Sequence, residues 1–272
     1  MAFVQPGGRR FYYLDRGEPG NSAVLLLHGF NQTAHSWDDF APRLAEAGFR
    51  VVAFDQRGHG ESERPPDGDY GREAMADDVV RLADDLGIQR FSLVGMSMGA
   101  VHATLTAVRH PARVHSLVLV DWAPEVESAG VAAIAQIAPL AFDSFDDAVA
   151  AMHAFNPRRT RDNLRARLGH SMRQEADGRW RWKVDAAGLT AHPRFREPPE
   201  SMWTAIGQVA CSCLVIRGAD SELLSAAKAE QVVARFRTAE LITIPDASHS
   251  VAGDKPEEFY AAVAPFLMRT AR

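Results

Sequence analysis

Apolar residues along this chain gather in short, nearly uninterrupted runs, separated by longer stretches in which they recur every three or four positions. The runs fall at Arg10–Leu14, Ala23–Leu27, Val51–Phe54, Phe91–Val94, Ser116–Val120, Cys213–Arg217 and Glu240–Ile244. Ala-Val-Leu-Leu-Leu at 23–27 and Leu-Val-Leu-Val at 117–120 lack polar alternation, the mark of strands covered on both faces of a parallel sheet. Helical spacing holds over Trp37–Ala47, Arg72–Leu86, Met98–Arg109, Ala226–Phe236 and Pro256–Met268. Strands and helices in alternation predict an α/β fold with a mostly parallel, doubly wound sheet. In such folds the functional groups sit on loops at the strands' carboxyl ends.

One stretch breaks the rhythm. From Trp122 to Val209 no clear apolar strand stands out, and helix-like pieces are interrupted at Pro139, Pro157, Pro193, Pro198 and Pro199. The stretch holds Trp122, Trp180, Trp182 and Trp203, with Phe142, Phe145, Phe155 and Phe195. The expectation is a helical lid inserted after the strand at 116–120: residues 1–121 and 210–272 form the core domain, and 122–209 the cap. The lid aromatics are expected to form its own small core.

A length of 272 residues suits one large α/β domain with such an insertion. A mildly negative net charge of −5 has the wrong sign for a nucleic-acid surface. Residues 1–17 carry Arg9, Arg10, Asp15 and Arg16 and no apolar run like a signal peptide's. No stretch reaches the roughly 20 apolar residues of a membrane-spanning helix. Cys211 and Cys213 are too close for an ordinary disulfide and read as thiols of a reducing cytoplasm. The expected partner is therefore a small-molecule substrate, not nucleic acid or membrane. The sequence sets no preference between monomer and homodimer.

Residues 95–99 read Gly-Met-Ser-Met-Gly, directly after the run at 91–94. Glycines two places either side of a serine let a strand turn sharply into a helix, with the Ser97 hydroxyl exposed at the sheet's tip. A serine nucleophile needs a base, an acid to orient the base, and donors for the oxyanion. His249, in Pro-Asp-Ala-Ser-His after the last strand, is the only one of ten histidines between the strands and the final helix. It is the expected base. The run at 23–27 leads into His28-Gly29-Phe30, so the Phe30 and Met98 amides are the expected oxyanion donors. His28 and Gly29 then border the pocket, His28 chiefly as a structural residue.

HGF at 28–30, DQRGHGES at 55–62, GMSMG at 95–99 and PDASH at 245–249 together resemble the α/β-hydrolase superfamily. That resemblance implies a scaffolding role for Asp55, Arg57, Gly58, His59, Gly60 and Ser62. It also implies an acid in the loop after the seventh strand, here Arg217-Gly218-Ala219-Asp220-Ser221-Glu222, where Ser221 stands at the expected position. Asp121, ending the run at 116–120, is the preferred acid, because a strand end holds it rigidly; Glu222 and Asp220 are the alternatives. VDWAPEVE at 120–127, with RGADSELLSAA at 217–227, is similar to a small subgroup that includes the (acetamidomethylene)succinate hydrolases, with the acid after the sixth strand. Trp122, next to Asp121, is expected to border the pocket.

The resemblance implies a cofactor-free serine hydrolase acting through an acyl-enzyme on an ester, lactone, amide-like or C–C bond. Between Arg158 and Arg196 lie ten arginines and one lysine, most of them expected on a solvated face. One or two of them could face a carboxylate-bearing substrate. No metal, nucleotide or dinucleotide motif is present, so no metal site and no cofactor are expected. Two other readings use the same residues: a cofactor-free dioxygenase or lyase in which His249 only abstracts a proton, and a small-molecule sensor with weak turnover.

Overall fold

The computed structural model describes residues 2–125, 141–193 and 198–271. The main sheet contains β1 (Ala2–Val4), β2 (Phe11–Arg16), β3 (Ala23–Leu27), β4 (Arg50–Phe54), β5 (Phe91–Met96), β6 (Val114–Val120), β9 (Ser212–Gly218) and β10 (Ala239–Ile244). Their order is β1-β2-β4-β3-β5-β6-β9-β10, and only β2 runs against the rest, pairing antiparallel with β1 and with β4. Every residue of β3 and β4 is buried, as unbroken apolar runs require. Alternate side chains serve opposite faces: Leu25 and Leu27 join the core that includes Val79 and Ala103, while Val24 and Leu26 join the one that includes Leu44 and Phe259. The polar interruptions are paired, Ser116 Oγ donating to Ser92 Oγ at 2.9 Å inside the sheet.

Helices α2 (Arg72–Asp85) and α3 (Met98–Arg109) cover one face; α1 (Ala41–Glu46) and α10 (Pro256–Thr270) cover the other. The first predicted helix is shorter than its apolar pattern, because a 3-10 turn at Ala34–Trp37 precedes α1, which starts around Pro42. Trp37 packs on Phe40 and Phe259.

Between β6 and β9 lie α4 (Phe145–Phe155), α5 (Arg161–Ser171), the hairpin strands β7 (Met172–Gln174) and β8 (Trp180–Trp182), α6 (Ala186–Ala191) and α7 (Pro199–Gln208). The hairpin departs from the purely helical expectation, since strands of three residues are too short to show a period. Phe142, Val149, Met152, Leu164, Leu168, Met172 and Trp182 form a separate cluster, with Phe145 and Trp180 packed against it. By contrast, α7 buries Met202, Ala205 and Ile206 in the main core beside α3 and α8 (Ala226–Arg235). The insertion's own packing therefore ends before α7 and not at 209. Pro139, Phe195, Arg194 and Arg196 lie outside the described residues. Among the described residues no helix is long and apolar enough to cross a membrane.

Candidate active site

β5 ends at Met96 and α3 starts at Met98, so Ser97 makes the whole turn, at φ +51° and ψ −116°. Strain of this kind costs about 1–3 kcal/mol and persists only where the surroundings enforce it. Here the enforcement is steric. A Cβ on Gly95 would lie 2.5 Å from the Gly99 carbonyl oxygen, and one on Gly99 would lie 2.3 Å from that of Leu27. The Ser97 N–H donates to Val120 O at 3.1 Å, locking the elbow to the end of β6.

Asp121 follows that end directly, also at positive φ (+49°), and is 1% exposed. Its Oδ2 accepts from His249 Nδ1 at 2.8 Å and from the Ser221 hydroxyl at 2.5 Å, while Oδ1 accepts from Gly218 N–H at 3.0 Å. The buried carboxylate is thus filled by three donors, one of them the imidazole. Ser221 is held in turn by the Leu223 and Leu224 N–H groups. The position that carries the acid in the resembling family therefore supports it here. Asp220 is exposed and pairs with Arg158 at 2.8 Å, and Glu222 is exposed at the cavity rim. Neither bonds His249 among the described residues.

Phe30 follows the end of β3 and Met98 opens α3, whose first N–H groups have no partner within the helix. Their side chains pack on one small cluster, Tyr70, Met75 and Leu189, which brings the two loops together. A Cβ on Gly29 would lie 3.5 Å from Ser97 Cβ, so the bare backbone leaves room beside the hydroxyl. His28 is fully buried; its Nδ1 bonds Gly29 O at 2.8 Å and its Nε2 accepts from Gln56 N–H at 3.0 Å. It braces the loop and does not border the cavity, contrary to the pocket expectation. Trp122 is likewise buried in the main core and away from the cavity. The strand ends at Val120, and the left-handed backbone at Asp121 breaks its alternation, so Asp121 faces His249 while Trp122 joins the core that includes Ala103.

The 55–62 loop is scaffold, as the resemblance implies. Asp55 accepts from Ala34 and Glu61 N–H groups, and Arg57 makes a buried fork to Asp78, 2.6 Å on each arm. Burial holds the His28 pKa well below the usual imidazole range, lowers His59 to about 4 and lowers His102 to about 3. An unfolded histidine protonates near pH 6.5, so from there down to about pH 4 the unfolded chain binds more protons and the fold loses stability. Asp55, raised by burial to about 6, acts in the opposite sense, since the folded chain keeps a proton the unfolded one releases. Asp78, also raised by burial, acts in the same sense as Asp55, and the three buried histidines outweigh the two carboxyls. Urea midpoints should therefore fall from about pH 6.5 to about pH 4.5, and His59→Gln should flatten that slope. A midpoint that holds or rises towards acid would contradict this assignment.

A cavity of about 280 Å³ opens beside His249. Its core wall includes Met96, Leu223 and His249; its insertion wall includes Met152, Leu164 and Arg159. Of the basic stretch, Arg158, Arg159 and Arg167 reach the cavity, while exposed Arg173 and Arg179 and half-buried Arg181 are paired with acids. Asn31 and Ser36 also line it, and no motif marked them in advance. Nearby, donor atoms of His35, Asp38 and His170 lie within 4.8 Å of one another, a proximity that sequence spacing does not reveal. Both His35 nitrogens are engaged, by Asp38 and by the Tyr12 hydroxyl, and its ring stacks on His170 at 3.5 Å. That arrangement is a clasp between core and insertion.

A strained serine, an imidazole held by a buried carboxylate, and a helix N-terminus converge on one end of the sheet. A model of the alpha/beta hydrolase fold family matches residues 22–256, and the chain belongs to that family. Among its relatives, the sn-1-specific diacylglycerol lipase ABHD11 of Mus musculus is 29% identical over 94% of this chain and 84% of that protein. The 2-(acetamidomethylene)succinate hydrolase of Mesorhizobium japonicum is 28% identical over 92% of this chain and 90% of its own length. The crystal structure of E-2-(acetamidomethylene)succinate hydrolase superposes with a TM-score of 0.87 at 25% identity, covering 98% of each chain. The chain is a hydrolase.

Proposed function

We propose that the chain is a cofactor-free serine hydrolase working through a Ser97-His249-Asp121 triad and an acyl-enzyme. The observation that carries this is the 2.8 Å bond from His249 Nδ1 to the buried Asp121 carboxylate. A carboxylate on Nδ1 fixes the tautomer whose Nε2 lone pair takes a proton, which is the orientation a general base needs. In this mechanism His249 Nε2 removes the Ser97 proton as Oγ attacks the substrate carbonyl. The Phe30 and Met98 N–H groups receive the oxyanion at the positive end of α3. His249 then protonates the leaving group, and a water activated by the same imidazole releases the acid. The segment from Phe145 to Ala191, packed on its own small core, acts as the cap that limits substrate size.

The test is intact-mass measurement during 4-nitrophenyl acetate turnover. The expected result is an acetyl adduct that maps to Ser97 and decays with hydrolysis. Turnover of a physiological ester with no trappable adduct would favour proton-abstraction chemistry by His249 instead.

A further inference from the structure

Three cations line the cavity, and two are committed. Arg158 pairs with Asp220, and Arg167 donates to His35 O and to Asp39. Arg159 differs. Its Nε and Nη2 donate to a neutral acceptor, Asn163 Oδ1, at 2.9 and 2.6 Å, and it has no ion pair among the described residues. Asp254, an acid in its electrostatic surroundings, is already filled: Asn156 donates to Oδ1, and the Ser248 N–H and hydroxyl to Oδ2. The Arg159 guanidinium lies against Gly253, where a Cβ would sit 3.1 Å from Cζ, four residues beyond His249. Arg159 lines the cavity, and among the described residues its Nη1 has no acceptor, so its guanidinium keeps donors for a carboxylate fork.

A second, independent vacancy lies in the same cavity. Asn31, next to Phe30, has its side-chain amide nitrogen and oxygen both buried and without a hydrogen-bond partner among the described residues. A buried polar group left unpaired is costly, and such groups in native proteins are usually completed by something that binds. Half-buried guanidinium and unpaired amide are thus two unfinished contacts facing one space.

We propose that Arg159, assisted by Asn31, is the recognition site for a carboxylate that the substrate carries away from its scissile carbonyl. The substrate class is then a small anionic ester or amide, and Arg159 is a specificity-determining residue. This rests on the serine-hydrolase reading for its chemistry but not for its binding.

Binding is therefore tested without turnover. Ser97→Ala protein is titrated calorimetrically with succinate and with neutral succinamide. Succinate should bind about tenfold or more tightly than succinamide, and Arg159→Gln should weaken succinate by about tenfold or more. Arg173→Gln, exposed and outside the cavity, should leave binding unchanged. Arg159→Lys keeps the charge and much of the packing while losing the fork, so its affinity should fall between the two. In parallel, with Ser97 intact, Arg159→Gln should raise KM for mono-4-nitrophenyl succinate and leave 4-nitrophenyl butyrate untouched. Equal binding of succinate and succinamide, absence of succinate binding, or equal kinetic loss on both esters would overturn the proposal. Succinate binding that depends on Arg159, with no hydrolysis of either ester, would retain the subsite and remove the hydrolase mechanism.

Discussion

Ser97→Ala is expected to lower kcat on 4-nitrophenyl acetate by about 100,000-fold, the scale on which loss of the nucleophile acts in enzymes that use Ser-His-Asp triads. The fold should barely register the change. The Ser97 hydroxyl makes no hydrogen bond among the described residues, the backbone strain is enforced by Gly95, Gly99 and the Val120 carbonyl, and Ala keeps the Cβ. Unfolding free energy should therefore move by no more than about 0.5 kcal/mol. Residual activity above the water reaction is expected, because the donors of Phe30 and Met98 are main-chain groups that the substitution leaves in place. The decisive measurement is steady-state kinetics with the unfolding midpoint taken on the same preparation. A variant within tenfold of wild type, correctly folded, would show that Oγ does not attack.

Much of this site was legible before any coordinates, and the reasons differ residue by residue. The strand at 23–27 appears where its apolar run places it, and α3 begins and ends at the predicted residues, since a G-x-S-x-G elbow fixes a helix start sterically. Ser97 is marked by the G-x-S-x-G spacing and His249 by its place between the last strand and the final helix. The extent of α1 did not, because Pro42 and the 3-10 turn before it decide where the helix can start. Strands β7 and β8 stayed hidden because three residues carry no period, and they are held by pairing with each other. Trp122 was misjudged for a related reason. Adjacency to Asp121 suggested a shared surface, whereas the left-handed turn at Asp121 carries Trp122 into the main core. Arg159 and Asn31 lie far apart in sequence, and what singles them out, an arginine with no ion pair and a buried amide with no partner among the described residues, is a property of three dimensions only.

Asp121→Asn should cost about 10,000-fold in kcat, while Glu222→Gln should stay within about twofold of wild type. The asymmetry follows from what each carboxyl touches. An amide at 121 presents His249 with an N–H or a weaker acceptor, which turns the imidazole to the tautomer whose Nε2 already carries a proton. Glu222 is exposed and bonds no imidazole, so its neutralisation leaves the base as it was. A reversed ranking would move the acid to the loop after β9. Ser221 makes the comparison sharper. Its Oγ lies 2.5 Å from Asp121 Oδ2, so a carboxylate grown from position 221 would arrive beside the atom that His249 now bonds. In the Asp121→Asn background, Ser221→Asp should therefore recover part of the lost kcat, whereas in the wild-type background the same change sets two carboxylates against each other and should lower stability. Rescue in the first background with damage in the second would mean that the two strand ends converge on one acid position, which this chain fills from β6.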